Sequence, residues 1–169
     1  MKKIITALLT CTLLLSGCTQ SNIVAKDGSG VPDTEVRSGI EIEWGQVWND
    51  LDSQFADPEV YPFCESVNCN IVEEEHRIEL VLLVQPGTTV EEAAPYATEV
   101  IKGFNDSIAT QDFSYAVSGD EYYGGFMDLY DVNVLVAPYD TKEDSATWIL
   151  EDTITAGSDY REVGASELQ

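Results

Sequence analysis

The chain has 169 residues, 44% of them apolar and grouped in periodic blocks, which suits one folded domain with one core. Thirty-one acidic side chains face eight basic ones, a formal net charge of −23. Such a surface repels phosphate backbones, which excludes nucleic acid as a partner, and it repels anionic lipid headgroups.

Met1-Lys2-Lys3 is a short cationic start, and Ile4 to Leu15 is an apolar run without charge. The run is too short to span a bilayer comfortably and reads as the apolar part of a signal peptide. It ends in Leu15-Ser16-Gly17-Cys18. Charge, apolar length, small residues and cysteine in that order resemble the lipobox of bacterial lipoproteins. The resemblance covers only the first twenty or so residues. It implies that residues 1–17 are cut away and that the Cys18 thiol carries a diacylglycerol anchor. It further implies that the protein works outside the cytoplasm, held to the bacterial cell membrane. Thr19 to Arg37, with Asp27-Gly28-Ser29-Gly30 and Val31-Pro32-Asp33, shows no sustained period and reads as a flexible linker. Residues 38–169 are left for a single domain, for which no family resemblance is evident.

Ser38-Gly39-Ile40-Glu41 has the form of a capping box. Ile40, Trp44, Val47, Trp48, Leu51 and Phe55 then lie on one helical stripe that Asp57-Pro58 ends. At that spacing the two tryptophans read as core rather than as a ligand platform. Val60 to Asn70 is irregular and holds Cys64 and Cys69. In the oxidising compartment that the lipobox implies, these two thiols most simply form a disulfide. Structural zinc needs four Cys or His ligands, and only His76 is at hand besides them, so no metal is expected. A strand begins between Val67 and Val72, and the polar run Glu73 to Arg77 reads as a solvated turn around His76.

Ile78 to Val84 reads I-E-L-V-L-L-V, apolar on both faces beyond Glu79, which predicts a central strand. Thr89-Val90-Glu91-Glu92 is a second capping box, followed by a helical stripe through Ala93, Ala97, Val100, Ile101, Phe104 and Ile108. Pro95 predicts a kink or a displaced first turn. Phe113 to Val117 reads as a short strand and Phe126 to Ala137 as a long one, closed by Pro138. Ala146 to Ile154 is ambiguous between helix and strand and is read as an edge strand, with a frayed polar tail from Gly157. The sum is an α+β fold: a small antiparallel sheet of about four to five strands with two main helices packed on one face.

The motifs of serine hydrolases, P-loop proteins, zinc proteases and EF-hands are all missing. No cofactor is expected. One segment stands apart: Tyr115, Tyr122, Tyr123, Phe126 and Tyr130 cluster around Gly119, Gly124 and Gly125. Rings on a tightly turning loop could stack on sugars, peptides or cations; the plainer reading is that they pack the core. The sequence therefore points to a non-enzymatic, lipid-anchored binding or accessory domain for a protein, peptide or glycan. The alternative is a small surface hydrolase using a pair of its many carboxylates.

Overall fold

A computed structural model describes residues 40–164. The signal peptide, Cys18 and the linker lie outside the described residues.

The first helix, α1, runs Trp44–Phe55 and buries Val47, Leu51 and Phe55, which recur every fourth residue. It starts later than the capping-box pattern suggested. Ile40 and Glu41 precede it, and Ser38 lies outside the described residues. Glu43 stands at the N-cap without a side-chain capping bond, and its amide donates to Gln111 Oε1 at 2.7 Å, at the far end of the second helix. Trp44 and Trp48 stack on each other at 5.9 Å, and Trp48 on Phe104 at 5.8 Å, so both tryptophans belong to the helix-helix contact.

Strand β1, Cys64–Val72, turns through a single 3-10 turn at Glu73–Glu75 into β2, Arg77–Val84. His76 closes the turn in the left-handed region at φ 48° and is exposed, as a solvated turn requires. In β2, Ile78, Leu80, Leu82 and Val84 face the helices and are buried.

The second helix, α2, spans Val90–Gln111. Its capping box forms as the sequence predicts: the Thr89 amide donates to Glu92 Oε2 at 3.0 Å, and the Thr89 side chain receives a backbone N–H in return. The first turn is not displaced, and the helix is continuous through Pro95, whose ring lies on the exposed side. After a long loop come β3, Asp131–Pro138, and β4, Leu150–Ile154.

The four strands lie in the order β1-β2-β3-β4, with both helices on one face. The fold is the expected α+β arrangement, with one difference in strand direction. The outer pairs are antiparallel, but β2 and β3 run parallel. The reason is α2: a 22-residue helix carries the chain back along the sheet, and such a crossover returns it in the original direction.

Three further expectations change. Phe113 to Val117 forms no strand; Phe113 is 88% exposed, and Asp112 Oδ1 takes the Ser114 amide in a local turn. Residues 126–130 are not strand either, since Met127–Leu129 makes a 3-10 turn before β3. The tail does not fray within the described residues. Val163 is fully buried, and its amide donates to Thr98 Oγ1 on α2 at 3.0 Å. Arg161 grips Asp152 of β4 with two bonds of 2.6 and 2.7 Å.

Candidate functional site

The sequence drew attention to five rings, and the structure distributes them. Tyr123 and Phe126 are 6% and 4% exposed and lie in the core. The Tyr123 hydroxyl donates to the Arg161 carbonyl at 2.8 Å, and its ring meets Tyr160 at 5.1 Å. Phe126 stacks on Tyr130 at 4.7 Å and meets Tyr115 edge-on at 5.3 Å. Tyr115 and Tyr130 are half-buried against it. Tyr122 is half-buried as well, and its hydroxyl donates to Asp128 Oδ2 at 2.6 Å, which pushes the phenol up to about 12. The five rings thus share no exposed platform.

The loop is held by two side chains of α2. Asn105, fully buried, donates to the Ala116 carbonyl at 3.0 Å and accepts the Phe126 amide at 3.0 Å. Asp106 accepts from the Ser118 amide at 2.6 Å and from its hydroxyl at 2.8 Å. Gly124 has φ 109°, and a Cβ there would overlap the Asn105 side chain. The glycines serve this close fit.

Cys64 and Cys69 do not form the expected disulfide; both are free thiols. They sit on one extended strand, and five residues of strand cover about 15 Å, far beyond the roughly 7 Å a disulfide can bridge. A bulge between Cys64 and Ser66 turns both toward the helices. Cys64 Sγ lies 2.9 Å from the Tyr96 hydroxyl, which is also 3.0 Å from the Phe55 carbonyl. With one proton, that hydroxyl donates to the carbonyl and can receive the thiol's. Burial pushes the Cys69 thiol up to about 12, away from nucleophilic or metal-binding use. Among the described residues no group of three His, Cys, Asp or Glu side chains is placed to hold a metal ion. No helix among them is long and apolar enough to cross a membrane.

What the structure adds is the outer edge of β1. The Val84 carbonyl accepts from Tyr139, and the His76 carbonyl from Asp131, so even-numbered main-chain groups of β2 point toward β3. Its odd-numbered groups therefore point toward β1, where Val81 and Glu79 pair with Asn68 and Asn70. It follows that the main-chain groups of Val67, Cys69 and Ile71 point outward. Among the described residues no main-chain bond reaches them. A groove lined by Trp48, Leu51, Val67, Asn68 and Cys69 lies against this edge. Val67 and Cys69 face the helices and Asn68 the opposite side, so a groove touching all three runs along the strand's rim.

The other edge differs. β4 has five residues, two of them acidic, and the Arg161 guanidinium occupies the Thr153 carbonyl at 2.7 Å. Short length, charge and a covering segment are the usual ways to close an edge. β1 has nine residues, one charge and no proline. The sequence concealed this, because Cys64 to Ser66 looked irregular and no pattern within a strand says that it will end a sheet. Comparison with protein-family models, with curated proteins and with solved structures found no match.

Proposed function

We propose that this chain is a lipid-tethered domain outside the cytoplasm that binds another protein or peptide and does not catalyse a reaction. The lipobox-like Leu15-Ser16-Gly17-Cys18 supports the tether. The observation that carries the binding role is the open edge of β1 with its groove. An unpaired row of N–H and C=O groups takes up an extended segment, and the adjoining groove receives alternate side chains. Among the described residues the hydrolase alternative has carboxylates in two clefts: Glu121, Asp128 and Asp159 are open to water with Asp128 engaged by Tyr122, and of Glu79, Glu151 and Asp152 the first is held by Arg77 and the last by Arg161.

Two measurements in intact cells test this. A photo-crosslinking side chain at position 69 should give discrete adducts, and one at position 153 on the guarded edge should not; the reverse pattern rules out β1. Cys18→Ala should block processing and release the chain from membranes. If the variant still fractionates with membranes and is processed as before, the tether is wrong.

A further inference from the structure

We infer that the segment taken up by β1 is an extended peptide of another protein with a low-charge middle and lysine or arginine at both ends. The inference rests on β1 being the binding edge and adds the chemistry of what binds there.

From Ser66 to Val72 the strand carries no charge. Both of its ends are acidic. Glu65 stands exposed at the start, and Asp52 of α1 lies near enough to Cys64, as Glu65 does, to disfavour its thiolate. Glu73, Glu74 and Glu75 stand exposed at the other end. A strand added beside Val67, Cys69 and Ile71 therefore meets neutral side chains along its length and carboxylates where it enters and leaves.

The groove sharpens the middle. Alternate side chains of an added strand point toward the helix layer, where Trp48, Leu51 and Cys69 form an apolar floor. Small or β-branched apolar side chains at every second position suit it, with polar ones between them. A second copy of this chain is a poor occupant. Each copy carries 31 acidic residues against eight basic ones, and pairing β1 with β1 would bring two sets of terminal glutamates together. A basic partner relieves that field instead.

The test uses the full-length chain in non-ionic detergent and a synthetic peptide with an alternating threonine-valine middle and a lysine pair at each end. Calorimetric titration is paired with amide exchange. The amides of Val67, Cys69 and Ile71 should exchange fast in the free chain and slow with peptide, while those of Asn68 and Asn70 stay slow throughout. A peptide with glutamate pairs at its ends should bind about tenfold weaker at low salt, and the gap should narrow as salt rises. Cys69→Pro removes an outward N–H without touching the β2 ladder and should abolish binding. Should that variant not fold, Glu73→Lys with Glu74→Lys, both exposed, should narrow the preference between the peptides, and an unchanged preference overturns the charge inference.

Equal affinity for both peptides, with protection at Val67, Cys69 and Ile71, overturns the charge inference and leaves the edge as the site. Protection by neither peptide overturns both. If the three amides are already slow in the free chain, the edge is covered; concentration-dependent sedimentation would assign the cover to a second copy, and its absence to this chain's own residues.

Discussion

Asn105 shows how one side chain can hold a loop that has no secondary structure of its own. It spends its carbonyl oxygen on the Phe126 amide in a buried bond and its amide group on the Ala116 carbonyl in a part-buried one. Asn105→Ala strands the Phe126 N–H and should destabilise by about 2 kcal/mol. Gly124→Ala should do comparable damage, by overlap with Asn105 and by forcing alanine to φ 109°. Thermal unfolding of the double variant should show less than the sum, because removing the Asn105 side chain relieves the overlap. The tyrosine pair separates at the same scale. Tyr123→Ala empties a core position and should destabilise by about 3–5 kcal/mol. Tyr122→Ala removes a half-buried ring and one surface bond, and should cost less, about 1 kcal/mol. Equal losses for the two would contradict the burial described here. Core packing was the plainer reading of these rings and holds for Tyr123 and Phe126, but a run of Tyr-Tyr-Gly-Gly does not say which ring turns inward.

At the scale of elements, legibility followed the strength of the local signal. β2 was readable because Ile78 to Val84 is apolar on both faces beyond Glu79 and is stopped by Pro86-Gly87. α2 was readable because the Thr89–Glu92 box marks its start and a stripe continues from Ala93 to Ile108, about four turns. Residues 113–117 and 126–130 have strand composition and form none, since a strand needs a partner and the α2 side chains claim these backbones first. The C-terminal segment looked too polar to dock, yet its polarity is what docks it. Burial pushes the Asp152 carboxyl up, but the Arg161 guanidinium and the Gly164 and Thr153 amides outweigh it and hold the carboxyl below its usual range. A carboxylate lowered by folding stabilises the folded state above its unfolded value, and that stability is lost as pH falls through the lower folded value. The gap in melting temperature between wild type and Asp152→Asn should therefore be open at neutral pH and close in acid. A gap independent of pH would mean that the clasp is not ionic.

The described residues form a helix layer on a sheet layer, and the chain as a whole carries a surplus of negative charge. Among the described residues Arg77, Lys102 and Arg161 are each already committed to a carboxylate. Surplus charge of one sign favours expansion, and counterions relieve it. Raising sodium chloride from a few millimolar to physiological strength should raise the melting temperature, with most of the gain at the low end. A fall or no change would mean that the acids are too dispersed to matter. The surface charge was open to counting from the sequence, as were the two helices and the α+β class; the strand that ends the sheet was not, because edges are properties of the assembled layer.

The parallel pairing of β2 with β3 also governs time. The β1–β2 hairpin closes through a single turn and can form within microseconds of collapse, and β3 meets β4 through the local segment 139–149 without waiting for a helix. Arg77 cannot find Asp131 until all of α2 and the loop behind it have been gathered in. Closing a span of roughly fifty residues carries an entropic cost of about 3–4 kcal/mol before any contact repays it. Two half-sheets, each with a bare apolar face, must therefore wait for the helix. While they wait, the unpaired rims of β2 and β3 stand beside that of β1, and a nascent chain is most exposed to aggregation in that interval.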